Sequence, residues 1–145
     1  VTITGQKKTI VSGSGAAVTI TASQSGSTFL FDRLAGTTYT LPTAAAGLEF
    51  TFITSISNTS NSNSITGATS ADLMIGSLLN VDTDSSNALA VWRPNGSSNY
   101  QITGNATTTS FLKGSVIRLK GLGANLWSVE GVTQSSGVVE TPFAG

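Results

Sequence analysis

Apolar residues recur at every second position in one run of this chain after another, the signature of strands that bury one face. Val18 and Ile20 alternate with Thr19 and Thr21, Phe29 and Phe31 enclose Leu30, and Tyr39 and Leu41 alternate with Thr38 and Thr40. Phe50 and Phe52 alternate with Glu49 and Thr51, and Ile53 and Ile56 continue that run. Toward the C-terminus, Ile117 and Leu119 face away from Arg118 and Lys120, as Trp127 and Val129 face away from Ser128 and Glu130. The pattern predicts one core holding Phe29, Phe31, Phe50, Phe52, Ile117, Leu119, Trp127 and Val129, with the threonines between them turned outward.

Turn chemistry separates the runs: Ser12-Gly13-Ser14-Gly15, Ser25-Gly26, Ala35-Gly36, residues 58–64, Asn95-Gly96, Gly104-Asn105 and residues 121–125. In Arg93-Pro94-Asn95-Gly96 the proline presets φ, and Asn or Gly accepts the positive φ that follows. Pro42 ends the Tyr39–Leu41 run because it brings no N–H to a ladder. Roughly ten short strands with turn signals every 8–12 residues or so predict an all-β fold, an antiparallel β-sandwich or jelly-roll-like barrel. Residues 71–80 are ambiguous, fitting one or two helical turns or a strand with a bulge at Gly76. No linker divides the chain, so residues 16–145 read as one domain behind an extended arm over residues 1–15. Val1, Ile3, Ile10 and Val11 are the arm's only apolar anchors, which predicts that a neighbouring molecule supplies most of its contacts by strand addition. The tail after Ser135 is similar, anchored by Val138, Val139 and Phe143. Val1 opens a polar, strand-like segment without a signal-peptide pattern, and a start at valine predicts that residues precede it or were removed.

Charge narrows the function. Only 10% of residues are charged, against roughly 25% in an ordinary soluble domain, and seven basic residues balance seven acidic ones. The polar surface is therefore Ser, Thr, Asn and Gly, which enter a contact with little self-repulsion and no desolvated charge. Hydrophobic residues make up 39% of the chain and lie in patterned runs, which opposes disorder. No stretch approaches the ~18 apolar residues of a membrane helix, so no membrane partner is expected.

With no cysteine and no histidine, thiolate and imidazole metal sites and Ser-His-Asp or Cys-His catalysis have no residues to build from. Carboxylates and lysines remain for catalysis; Asp32, Glu49, Asp72, Asp82, Asp84, Glu130 and Glu140 are the only acids from which a glycosidase-type pair could be built. Asp82-Thr83-Asp84 has the alternate spacing of a calcium loop, but the sixth loop position is Asn87 and the twelfth is Arg93. It reads as a hairpin tip whose side chains cap their own backbone. Ser110-Phe111-Leu112-Lys113 matches Ser-x-x-Lys by letters alone, without the helix start and partner motifs that chemistry needs. Asn58, Asn95 and Asn105 are Asn-x-Ser/Thr acceptors by accident of composition. Lys7-Lys8 is the only adjacent basic pair, so no phosphate-binding footprint forms and no nucleic-acid partner is expected. Trp92-Arg93 reads as a core or interface tryptophan. No cofactor, metal or catalytic residue is expected.

The segment SGSTFLFDRLAGTTYTLPTAAAGLEFTFIT, followed downstream by GSVIRLKGLGANLWSVEG, resembles small β-rich modules of tailed-phage virions. Such modules occur in capsid decoration (cement) proteins and in the head domains of tail fibres and spikes. The resemblance implies a structural protein on the capsid surface of an extracellular particle, bound to the major capsid protein lattice. It implies, as the alternative, a receptor-binding fibre or spike head; a polysaccharide-degrading enzyme, which rests on the carboxylates rather than on the resemblance, stands third. Low charge predicts an oligomer and the resemblance points to three copies, a homotrimer, with contacts expected near Trp92 and the Asp72 to Leu79 segment, Leu73, Ile75 and Leu78 among them, and at the anchors Val1, Ile3, Ile10, Val11, Val138 and Phe143. Residues 65–104 depart from the simple module and read as an insertion.

Overall fold

A computed structural model describes residues 7–84 and 88–145. The strands are β1 (Ile10–Val11), β2 (Ala17–Thr19), β3 (Thr28–Phe31), β4 (Thr38–Thr40), β5 (Glu49–Thr54) and β6 (Asn63–Thr66). They continue as β7 (Leu73–Asp82), β8 (Leu89–Trp92), β9 (Gln101–Gly104), β10 (Val116–Gly123), β11 (Leu126–Ser135) and β12 (Phe143–Ala144). Two sheets pack as a sandwich, one in the order β1-β3-β5-β10-β11-β7-β8 and the other in the order β12-β9-β6-β4-β2.

The alternation in the sequence decides what lies between them. Phe29, Phe31, Phe50, Phe52, Ile117, Leu119, Trp127 and Val129 are all buried in one core. The second sheet meets them with Tyr39, Ile65, Ile102 and Phe143. Phe29 stacks on Phe52 at 5.5 Å between centroids, and Phe31 meets Phe111 edge-on at 4.8 Å. Tyr39 closes the cluster and donates its hydroxyl to the Leu30 carbonyl at 2.6 Å. Burial pushes the Tyr39 phenol above its ordinary range, and the Asp32 carboxylate adds to that rise.

Strand direction corrects the antiparallel expectation. Pairs β1–β3, β3–β5, β2–β4, β4–β6 and β7–β11 run parallel. From β1 to β6 the chain alternates between layers, so each strand pairs with the one two places away and points the same way. The turns there are arches between sheets, and Gly, Ser and Asn serve an arch as well as a hairpin. Among the described residues, only β7–β8 and β10–β11 are consecutive strands paired within one sheet.

Residues 65–104, read as an insertion, are woven into both sheets: β7 pairs with β11 from Leu73 to Asp82, and β9 lies between β6 and β12. The ambiguous segment is this long strand. Gly76 holds φ at +112° within it, and a Cβ there would lie 2.1 Å from the Val129 carbonyl oxygen. The described part of the arm is tied to its own chain: β1 pairs with β3, and Gly13 N–H donates to Asp32 Oδ1 at 2.9 Å.

A candidate interaction face

The outer face of the seven-stranded sheet is not uniformly polar. Register places Leu30 beside Ile53, Ile53 beside Val116, Val116 beside Val132, Val132 beside Leu79, and Leu79 beside Val91. Each lies out of phase with a core residue, so the row points to solvent across six adjacent strands. Leu30, Ile53 and Val116 are half-buried by their neighbours, while Val132, Leu79 and Val91 are 49%, 38% and 57% exposed. Val81 pairs with Leu89 one step further along, and Leu89 is 62% exposed. Contiguous apolar bands of this kind are the features that commonly mark contact surfaces.

Charges flank the band. Arg118 sits between Thr51 and Glu130, and Lys120 sits between Glu49 and Ser128. Lys120 Nζ lies 3.8 Å from Glu49 Oε1 with both side chains more than half exposed, a pair worth little to the fold. These four charged residues, with Ser128, line a shallow depression. Glu49 and Glu130 do not face one another across open space: β10, carrying Arg118 and Lys120, runs between them. The depression is open and polar, unlike the apolar clefts that enclose small ligands.

The residues expected at an interface are dispersed. Leu78 is fully buried and Phe143 is 7% exposed, so both belong to the core and leave the interface set. Asp72 is also interior, accepting hydrogen bonds from Ala44 N–H, Thr69 N–H and the Thr69 hydroxyl. Val11 and Trp92 are half-buried against the core, and the Trp92 indole N–H is enclosed without an acceptor among the described residues. Leu73 is half-buried, while Ile10, Ile75 and Val138 are exposed. Val1 and Ile3 lie outside the described residues. Ile10, Leu73 and Ile75 share the outer face with the apolar band. The band itself escaped the sequence reading, although doublets such as Leu78-Leu79, Val116-Ile117 and Phe52-Ile53 signal strands apolar on both faces.

The loops are committed to their own backbone. Asn95 Oδ1 accepts from the N–H groups of Ser97, Ser98 and Asn99, and its amide donates to the Ser98 hydroxyl. Asn105 repeats the arrangement with Thr107, Thr108 and Thr109. Asp82 Oδ1 accepts from Asp84 N–H at 3.0 Å, the self-capping turn expected there. Among the described residues no group of three or more His, Cys, Asp or Glu is placed to hold a metal ion. No family model, curated protein or solved structure matches the chain.

Proposed function

We propose that this chain is a structural, non-catalytic module of a tailed-phage particle, a decoration or cement protein at the capsid surface. The observation that carries this reading is the apolar row from Leu30 to Val91 on a sheet face that the described residues leave uncovered. Such a face, with balanced charges beside it, works by burial against another protein. A module bound across capsomer junctions binds the assembled lattice better than separated pieces and so stabilises the closed shell by mass action. Loops occupied in capping themselves favour this reading over a receptor-binding head, which would present its loops to a ligand.

The test is reconstitution. Particles stripped of the protein are mixed with recombinant wild type or with Val132→Lys, sedimented, and assayed for bound chain and for heat-induced loss of DNA. The reading expects wild type to co-sediment and raise the temperature of DNA release, and Val132→Lys to do neither. A wild-type chain that stays in the supernatant, or a lysine variant that binds equally, overturns it.

A further inference from the structure

We propose that β8 is a homotypic docking edge, to which a second copy of this chain adds its own β8 in antiparallel pairing. The inference concerns a different surface from the apolar face and stands independently of a virion role.

β8 ends the seven-stranded sheet, with β7 on one side and, among the described residues, no strand on the other. The phase of its ladder is fixed by Asp82 N–H, which donates to the Ala88 carbonyl at 2.8 Å. Hydrogen-bonded pairs recur at every second residue of an antiparallel ladder, so Ala90 and Trp92 turn their backbone groups toward β7. Leu89 and Val91 turn theirs outward, where among the described residues no partner meets them.

Exposed edges are ordinarily kept short or guarded by charge, proline or a bulge. β1 and β12 have two residues each and β2 has three. β8 has four, Leu89-Ala90-Val91-Trp92, with no charge, no proline and no bulge in its pairing with β7.

The strand is complementary to itself. With a two-fold axis through Ala90, Leu89 of each copy opposes Val91 of the other, and each such pair exchanges two hydrogen bonds. All four outward groups of each strand are then satisfied. Ala90 meets Ala90 of the second copy in the close, non-hydrogen-bonded position, where a small side chain fits best. No like charges meet within the strand, and Leu89 packs on Val91 across the junction. The apolar row that ends at Val91 in one copy continues into Leu89 and Val81 of the other, so the pair presents one longer band. A four-residue pairing buries less than the ~1,200 Å² of stable complexes, so the isolated dimer is weak and concentration-dependent.

The chain has no cysteine, so single-cysteine variants report geometry cleanly. Non-hydrogen-bonded partners sit about 4.5 Å apart at Cα, within disulfide reach. Under mild oxidation at millimolar protein, Ala90→Cys should cross-link to a dimer of twice 14.7 kDa, while Val91→Cys and Val138→Cys should not. Light scattering of the wild type should show a dimer growing with concentration. Val91→Pro deletes only an outward N–H and should weaken that dimer about tenfold or more, with Leu89→Lys as a second variant that keeps every backbone donor. A monomer at all concentrations with Ala90→Cys uncross-linked overturns the proposal. So does a trimer, or equal cross-linking at Ala90, Val91 and Val138.

Discussion

The two outer faces of the sandwich are built from the same strand grammar and carry opposite chemistry. On the five-stranded sheet, register lines up Ala17, Thr38, Ser64 and Thr103 in one row and Thr19, Thr40, Thr66, Gln101 and Ala144 in the next. Hydroxyls satisfy one another there, as where Ser64 Oγ and Thr103 Oγ1 lie 2.9 Å apart. On the seven-stranded sheet the corresponding row is Leu30, Ile53, Val116, Val132, Leu79 and Val91. Hydroxyl rows are content in water, whereas an apolar row gains free energy only when covered. The difference teaches that low overall charge does not make the surface uniform: one face carries rows of hydroxyls and the other an apolar row.

The largest expected effect comes from removing what holds both faces in place. Phe52 lies behind Ile53 and contacts Phe29, Phe31 and Tyr39. Phe52→Ala should cost about 3–5 kcal/mol in chemical denaturation, erasing the contrast between faces along with the fold. A loss under ~1 kcal/mol would mean that the shared core is misassigned.

Lysines sharpen the comparison directly. Leu79→Lys and Val132→Lys, at sites already partly exposed, should change stability by less than ~1 kcal/mol yet weaken association through this face by about tenfold or more. Thr40→Lys and Thr66→Lys, on the hydroxyl face, should leave association intact. Sedimentation of all four variants beside wild type decides it, and equal losses on both faces would break the distinction.

A third effect follows from Tyr39. Its phenol ionises less readily in the fold than in the unfolded chain, so the neutral form is the one that folding favours. The raised value leaves stability intact below the unfolded value of about 10, and stability declines as pH rises beyond it. Tyr39→Phe should flatten that alkaline decline at the cost of one buried hydrogen bond, about 0.5–1.5 kcal/mol at neutral pH. An unchanged alkaline profile in the variant would assign the decline to another group. The smallest effect is Lys120→Ala, expected within about 0.5 kcal/mol by thermal melting, because its ion pair with Glu49 is solvent-exposed.

The core was legible because alternation encodes burial: the eight residues predicted to meet are all inside. Direction was not, because alternation is the same in parallel and antiparallel strands, and the Ser-Gly and Ala-Gly turns after Thr21 and Leu34 do not say which sheet receives the next strand. Leu78 and Phe143 were misplaced for a related reason, since apolar residues in polar surroundings look like surface anchors until the facing sheet is known. The Leu78-Leu79 pair shows both outcomes at once, one residue filling the core and the next joining the apolar row.

The central claim is that the seven-stranded sheet's outer face is covered in the assembled state. Maleimide labelling of single cysteines in a chain that has none measures this most directly. Val132→Cys and Thr40→Cys are compared as the free protein and in purified particles carrying the same variants. The account predicts rapid labelling of both in the free protein, with strong protection of Val132→Cys alone in the particle. Protection of Thr40→Cys with Val132→Cys still open would contradict it.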